Sequence, residues 1–363
     1  MAKARAPILP RLASLLLIFA SNWSMGQDMK TDPATRRTVV EQAATVLEKE
    51  YVFPDIGAKI AALLRRNLAS GAYDNISSAR EFAAAVGKDL RSINGDKHLE
   101  LEYSFEPIPE HRPAQSAEAD AKYAASVAYQ NGGFTRVERL DGNVGLIELQ
   151  GFFSPELAGE EATEAMAFVK HTDALIIDIR NNGGGNPGMV QLLASYFFNS
   201  PTELNGIYMR ETGRTQQYWT VPYLPTPRYL QKPVYILTSS GTPSAAEAFA
   251  YDMQVNKRAT IVGETTWGGA NPGHTFRLSE HFGVFVPRGR AVNPVTKTNW
   301  EGTGVKPDVP SPAEKALENA YMSALKAILG HEQTKRVQEE LQGFISGAPT
   351  NPLLHLYKRE QSD

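Results

Sequence analysis

The chain has 363 residues, 42% of them hydrophobic, a formal net charge of −3 and no cysteine. Its near-neutral balance gives no electrostatic basis for nucleic-acid binding, and the missing thiols exclude disulfides, thiolate nucleophiles and cysteine metal ligands. The length suffices for one large or two modest domains with a real core.

Lys3, Arg5 and Arg11 precede the apolar run LASLLLIFA (Leu12 to Ala20), and Ser24-Met25-Gly26 then offers small residues ahead of Gln27. A basic start, a short apolar core and a small-residue cleavage site form an export signal. The run falls short of the about 20 residues needed to cross a bilayer. Residues 1–26 therefore read as a signal peptide, with an uncleaved anchor as the competing reading. The remaining chain is expected to be exported, periplasmic or secreted, without a stable membrane span.

From Ala34 to Ile93 the apolar periodicity is helical. Val39, Val40, Ala43, Val46 and Leu47 share one face, and Ile60, Leu63, Leu64 and Leu68 share the next. Ser78 to Glu81 forms a capping box that opens a third helix through Phe82, Val86 and Leu90. These make an amino-terminal helical domain, 27–104, closing in SINGDKHLELEY with a short strand from Leu99 to Tyr103. Proline and charge between Glu106 and Glu118 mark a connector, 105–135.

Beyond the connector, continuous apolar runs alternate with helical segments: VGLIEL (Val144 to Leu149), ALIIDI (Ala174 to Ile179), VYILTS and ATIVGE. Runs without alternation indicate strands buried on both faces, and intervening helices indicate parallel connections. The fold class is therefore α/β, with the main domain over 136–311 and a helical carboxy-terminal tail over 312–363.

Two turns after such strands are placed for chemistry, because ligands bind beyond the carboxyl ends of parallel strands. DIRNNGGGNPG, Asp178 to Gly188, offers three consecutive glycines whose amides are free to face an anion or oxyanion. A phosphate site and a merely structural tight turn are its alternatives, although the dinucleotide and Gly-Lys-Ser patterns are absent. The second turn, TSSGTPSAAEAFAYD, carries Ser244 with Glu247 three residues on. That is a capping box, and it is equally the place for a nucleophile whose following amide, on Ala245, can donate to an oxyanion.

A serine nucleophile needs a base. Of His98, His111, His171, His274, His281, His331 and His355, His98 is best placed, in a turn between helix and strand. No pair has metal-ligand spacing, so the sequence asks for neither a metal nor a cofactor. Glu301, in TNWEGTGVKPD, is by itself an isolated loop carboxylate. Asp178 and Arg180 are expected to pair near the glycine turn, Glu247 to hold the serine helix, and Asp252 and Arg258 to be helix-end charges. Asn299 and Trp300 are expected to shape the surroundings of Glu301.

The ordered motifs LIIDIRNNGGG, VYILTSSGTPSAAEAFAY, KRATIVGETTWGG and GRAVNPVTKTNWEGTGVKPDV, within Gly142 to Val309, resemble the serine peptidases that include the carboxy-terminal processing proteases, the tricorn core protease and the interphotoreceptor retinoid-binding protein. GDKHL resembles the amino-terminal region of the retinoid-binding-protein-like branch. The resemblance implies a β/α superhelix of the ClpP and crotonase type, with Ser244 as nucleophile and the amides of Gly185 and Ala245 as oxyanion hole. Processing proteases place a lysine 25 residues after the serine, where this chain has Gly269. The tricorn pattern instead implies His98 as base and Glu301, 57 residues after Ser244, as its partner. Lys97 replaces the second serine of that pattern, leaving Glu301 or Asp96 to orient His98. Only 40 residues separate Tyr103 from Val144, too few for the PDZ domain of the processing proteases. The expected partners are short or unfolded peptides; a retinoid or fatty-acid carrier on the same scaffold is the rival reading. No pattern specifies an oligomeric state.

Overall fold

The computed structural model describes residues 28–110, 117–331 and 334–347. The expected signal peptide, His111, His355 and the end of the tail lie outside them. No helix among the described residues is long and apolar enough to cross a membrane.

Three helices come first, α1 (Pro33–Glu50), α2 (Pro54–Ala69) and α3 (Ala79–Arg91), followed by β1 (Glu100–Tyr103). Ser78 caps α3 by accepting the Glu81 amide at 3.0 Å, as its capping box requires. Within the stretch read as connector, Ala117–Tyr129 forms α4. The chain then runs through β2 (Phe134–Leu140), β3 (Val144–Leu149), α5 (Pro155–Val169), β4 (Ala174–Asp178), α6 (Pro187–Ser195), β5 (Glu203–Met209) and β6 (Arg214–Trp219). It continues through β7 (Val234–Thr238), α7 (Ser244–Val255), β8 (Thr260–Gly263), β9 (Gly273–Arg277), β10 (Phe282–Pro287), β11 (Gly289–Val292) and β12 (Val309–Pro310). Two helices close it, α8 (Ala313–His331) and α9 (Lys335–Ser346).

The central sheet has the order β12-β8-β7-β4-β3-β2. Its pairs are parallel except β2 with β3, which is antiparallel. Side chains alternate across a strand, and both faces here are covered, which is why the sequence shows no polar alternation. Leu175, Ile177, Ile236 and Ile261 pack beneath Met166, Val190 and Phe249 of α5, α6 and α7. Ala174, Ile176, Leu237 and Val262 face the other way, onto Ala316, Ala320 and Ala324 of α8. The mixed α/β class read from the sequence is the observed one.

The amino-terminal helices join this body through a second sheet, β1-β10-β9, antiparallel throughout. Val39, Leu47, Ile60, Phe82 and Leu90 form one core with Leu99, Leu101, Phe282 and Val284. The hydrogen-bonded register of β1 on β10, Leu101 opposite Val284, fixes the turn that precedes β1. A third sheet has the order β11-β5-β6.

Phe82 is fully buried and meets Tyr73 and Phe282 edge-on, with ring centroids 5.8 and 5.6 Å apart. Phe82→Ala is expected to cost about 3–5 kcal/mol, read as a lowered urea midpoint at unchanged slope.

Candidate active site

Strands β4 and β7 are adjacent and parallel, Asp178 opposite Leu237, so the turns at their carboxyl ends meet. They are fastened together: Ser239 Oγ donates to the Arg180 carbonyl at 2.6 Å and Thr242 Oγ1 to that of Ile179 at 3.1 Å. Ser244 opens α7 with φ +53°, a left-handed conformation unusual for a side-chain-bearing residue. A strained strand-to-helix turn of this kind lifts a serine oxygen above the sheet. Only the glutamate half of the capping box forms. Glu247 Oε2 accepts the Ser244 amide at 2.9 Å, Pro243 takes the N-cap position, and Ser244 Oγ bonds no described residue.

Glu247 is fully buried. Its carboxylate also accepts Thr266 Oγ1 at 2.5 Å and the amides of Gly268 at 2.6 Å and Gly269 at 2.8 Å. Burial raises its pKa, against the pull of these four donors. The expected role in holding the serine helix is thus observed, and it extends to the segment after β8.

In the glycine turn, Asn182 Oδ1 accepts the Gly184 amide at 2.8 Å while its Nδ2 donates to the Leu149 carbonyl, also at 2.8 Å. A Cβ on Gly184 would lie 3.1 Å from Ser244 Cβ. Gly185, at φ +136°, presses so closely on Phe152 that a Cβ would sit 2.1 Å from its carbonyl oxygen. Gly185, Ser244 and Ala245 line one cavity of about 100 Å³. The amides of Gly185 and Ala245 have no partner among the described residues, and both residues share the cavity with Ser244. Asp178 and Arg180 form the expected ion pair, with Arg180 Nε 2.9 Å from Asp178 Oδ1.

His98 enters from the amino-terminal domain, between α3 and β1. Its ring meets Trp267 edge-on at 5.0 Å and stacks on Phe285 at 5.7 Å. Asp96 shapes the turn: Oδ1 accepts the His98 amide at 3.0 Å, and Oδ2 accepts Tyr51 Oη at 2.8 Å and Asn271 Nδ2 at 3.3 Å. Its oxygens are therefore committed to the scaffold. Glu301 Oε2 lies 3.9 Å from His98 Nδ1, beyond hydrogen-bond length but within ion-pair range. That oxygen accepts the amides of Ala270 at 2.6 Å and Asn271 at 3.1 Å, while Glu301 Oε1 and His98 Nδ1 have no partner among the described residues. Glu301 is the better placed of the two candidate orienters. Lys97 instead ties the turn to the Trp267 carbonyl at 2.6 Å.

Burial pushes the Glu301 carboxyl up to about 8, with the negative charge of Asp96 adding to it. Burial also lowers the His98 imidazole. Asp96, His98 and Glu301 bring ligand atoms within 4.8 Å of one another, a juxtaposition not visible in their spacing. With Asp96 already bonded, only His98 Nδ1 and Glu301 Oε1 are uncommitted, which suits a proton-sharing pair better than a metal site.

No described hydrogen bond joins His98 to Ser244. Gly269 connects them: it lines the cavity with Ser244, and a Cβ on it would fall 2.4 Å from His98 Cε1 and 2.3 Å from Trp267 Cζ3. Asn299 accepts the Glu301 amide at 2.9 Å, and Trp300 lines the cavity while donating to the Gly269 carbonyl at 2.9 Å. Asp252, in the last turn of α7, and Arg258, three residues beyond the helix, stand at the helix end as expected, and both are drawn into the protein. Asp252 is 1% exposed on the cavity wall, and Arg258 donates to the carbonyls of Phe197, Tyr229 and Lys232. Tyr51 and Asn271, which complete the Asp96 network, carried no signal in sequence because their partners are remote in the chain.

The positive-φ Ser244 and the glycine turn meet at the carboxyl ends of the adjacent parallel strands β7 and β4 of an α/β fold. Residues 143–311 match Peptidase family S41, and residues 33–132 match the N-terminal domain of Peptidase_S41 in eukaryotic IRBP. The chain belongs to peptidase family S41, a family of serine-type peptidases. It is 27% identical over 187 residues to carboxyl-terminal-processing peptidase 2, chloroplastic, of Arabidopsis thaliana, covering 50% of this chain and 35% of that protein. To the carboxyl-terminal-processing protease of Synechocystis sp. it is 31% identical over 146 residues, covering 40% of this chain and 32% of that one. The chain thus spans about a third of the length of the curated relatives it matches. A solved structure from Parabacteroides merdae, described as a candidate peptidase, shares the fold at TM-score 0.57 and 18% identity, over 84% of this chain and 100% of that one.

Glu247→Ala strands four donors, three of them buried, and its expected cost exceeds about 3 kcal/mol in chemical denaturation. Gly269→Ala is expected to overpack the site by roughly 1–3 kcal/mol and to displace the imidazole, read from the His98 ring proton shifts in NMR.

Proposed function

We propose that this chain is an exported serine peptidase that hydrolyses peptide bonds in short or unfolded peptides. Ser244 attacks the carbonyl, His98 takes the proton and returns it to the leaving amine, and Glu301 stabilises the imidazolium. The amides of Gly185 and Ala245 hold the tetrahedral oxyanion, each worth on the order of 2.7–4 kcal/mol of barrier. The observation that carries this reading is that Gly185 and Ala245, with uncommitted amides, share one cavity with Ser244 and its unbonded hydroxyl. A histidine base is supported by Gly269, since His98 and Trp267 already fill the space that a lysine stem at that position would enter. The small span between β1 and β2 supports untagged substrates, and the basic and apolar start of the sequence supports export. The carrier reading draws no support from this cavity: about 100 Å³ is small for a retinoid or fatty acid, ligand pockets being roughly 300–1,000 Å³.

Labelling by a fluorophosphonate tests the nucleophile. Ser244→Ala is expected to abolish it and to lower peptide turnover roughly 10⁶-fold; labelling that persists refutes the assignment. The pH profile tests the pair. The base must be neutral, and burial keeps His98 neutral below the ordinary histidine range. The ionised carboxylate is what stabilises the imidazolium, so kcat/KM is expected to rise with pH through about 8, where Glu301 loses its proton. In Glu301→Gln that alkaline limb should vanish, leaving a lower plateau and only the more acidic His98 limb. An identical limb in both proteins would contradict the pairing.

A further inference from the structure

Helix α7 begins with Ser244, and the residues four and eight positions on, Ala248 and Asp252, share its face. All three line the same cavity, whose other walls include Leu204, Ile207, Ala270, Ala291 and Trp300. An acidic side chain therefore stands two turns below the hydroxyl in an otherwise largely apolar pocket.

Nothing about this position favours an acid for the sake of the fold. Asp252 is 1% exposed, and desolvation of a carboxylate is costly. It lies in the last turn of α7, where the helix dipole opposes negative charge. Arg258, six residues on, is spent on three backbone carbonyls. The one direct partner is Asn293, whose Nδ2 donates to Asp252 Oδ1 at 3.1 Å. That amide cannot turn to offer more: its oxygen accepts the amides of Val295 and Thr296 at 2.9 and 3.2 Å, and its Nδ2 also donates to the Leu204 carbonyl at 3.0 Å. Asp252 Oδ2 remains buried without a partner among the described residues.

We propose that Asp252 forms the floor of the pocket receiving the substrate side chain just before the scissile bond, and that it selects lysine. This rests on the peptidase reading of Ser244. The apolar walls suit an unbranched methylene stem, and the cavity is narrow, about 100 Å³. The head group follows from the one free oxygen. A guanidinium is best matched when its planar fork takes both carboxylate oxygens, and Oδ1 is held by Asn293. A compact ammonium needs only Oδ2.

Fluorogenic peptides identical except for lysine, arginine, methionine or glutamate before the scissile bond test this on the full chain. Lysine is expected to exceed methionine in kcat/KM by tenfold or more, to exceed arginine as well, and glutamate to be the poorest. In Asp252→Asn the lysine-to-methionine ratio is expected to collapse toward one while fluorophosphonate still labels Ser244. A wild-type ratio near one, a ratio unchanged in Asp252→Asn, or a preference for arginine overturns the lysine assignment, and labelling of Ser244 in the same experiment leaves the peptidase reading standing. Absence of both labelling and cleavage overturns the two together. Should Asp252→Asn fail to fold, wild-type protein decides: a peptidyl phosphonate ending in lysine is expected to label Ser244 at least tenfold faster than its norleucine counterpart, and equal rates overturn the proposal.

Discussion

The Glu247 carboxylate accepts hydrogen bonds from both sides of the cleft, and the geometry of the site depends on it. One donor is the amide of Ser244, at the start of α7; the others belong to Thr266, Gly268 and Gly269, in the segment that follows β8. A buried carboxylate is tolerable only when its oxygens are bonded, and four donors meet that demand. The consequence is positional. The amide held by Glu247 fixes the backbone at Ser244, so the hydroxyl is freed from the capping role that its sequence context suggests. The same carboxylate sets Gly269 and Trp267 against the ring of His98.

His98 is supplied by a different core from the one that carries Ser244. Helices α1 to α3 pack on β10, and β1 pairs with β10 immediately after the histidine turn. Tyr51 at the end of α1 and Asn271 before β9 both bind Asp96, so the turn is anchored from the helical side and from the sheet side. The two segments matching family models divide the proposed residues in the same way: the first holds His98, the second Ser244, Gly185, Ala245 and Glu301. A lysine base and a histidine base are sterically exclusive in this arrangement, because a side chain at residue 269 and the imidazole claim the same space.

Local patterns with short-range causes were readable in the sequence. The buried parallel strands announced themselves through continuous apolar runs, and β3, β4, β7 and β8 all pair in parallel. Ser78 capped its helix as its spacing required. At Ser244 the same logic was half right, because an S-x-x-E pattern encodes two reciprocal bonds while the backbone conformation permits only one. That conformation is set by Glu247 and its partners some 20 residues later, beyond the reach of a local motif. The helix-end place of Asp252 is legible in the sequence, while its burial rests on partners remote in the chain, Asn293 and the Leu204 wall of the cavity. The proximity of Asp96, His98 and Glu301 was likewise set by long-range packing and reached only through family resemblance.

Satisfaction of buried polar groups offers an independent line of argument. Native interiors leave few side-chain donors and acceptors unpaired, and five such atoms occur among the described residues: His98 Nδ1, Thr226 Oγ1, Asp252 Oδ2, Asn271 Oδ1 and Glu301 Oε1. Asp252 lines the cavity with Ser244, Asn271 binds Asp96, and His98 and Glu301 face each other. Four of the five thus cluster around one cleft, together with two amides and a hydroxyl that are equally uncommitted. A fold selected for stability alone would bond these groups or replace them with apolar ones. Asp252 lines the cavity and the other three lie beside its Gly269–Ala270 wall, the pattern expected where missing partners arrive with a substrate.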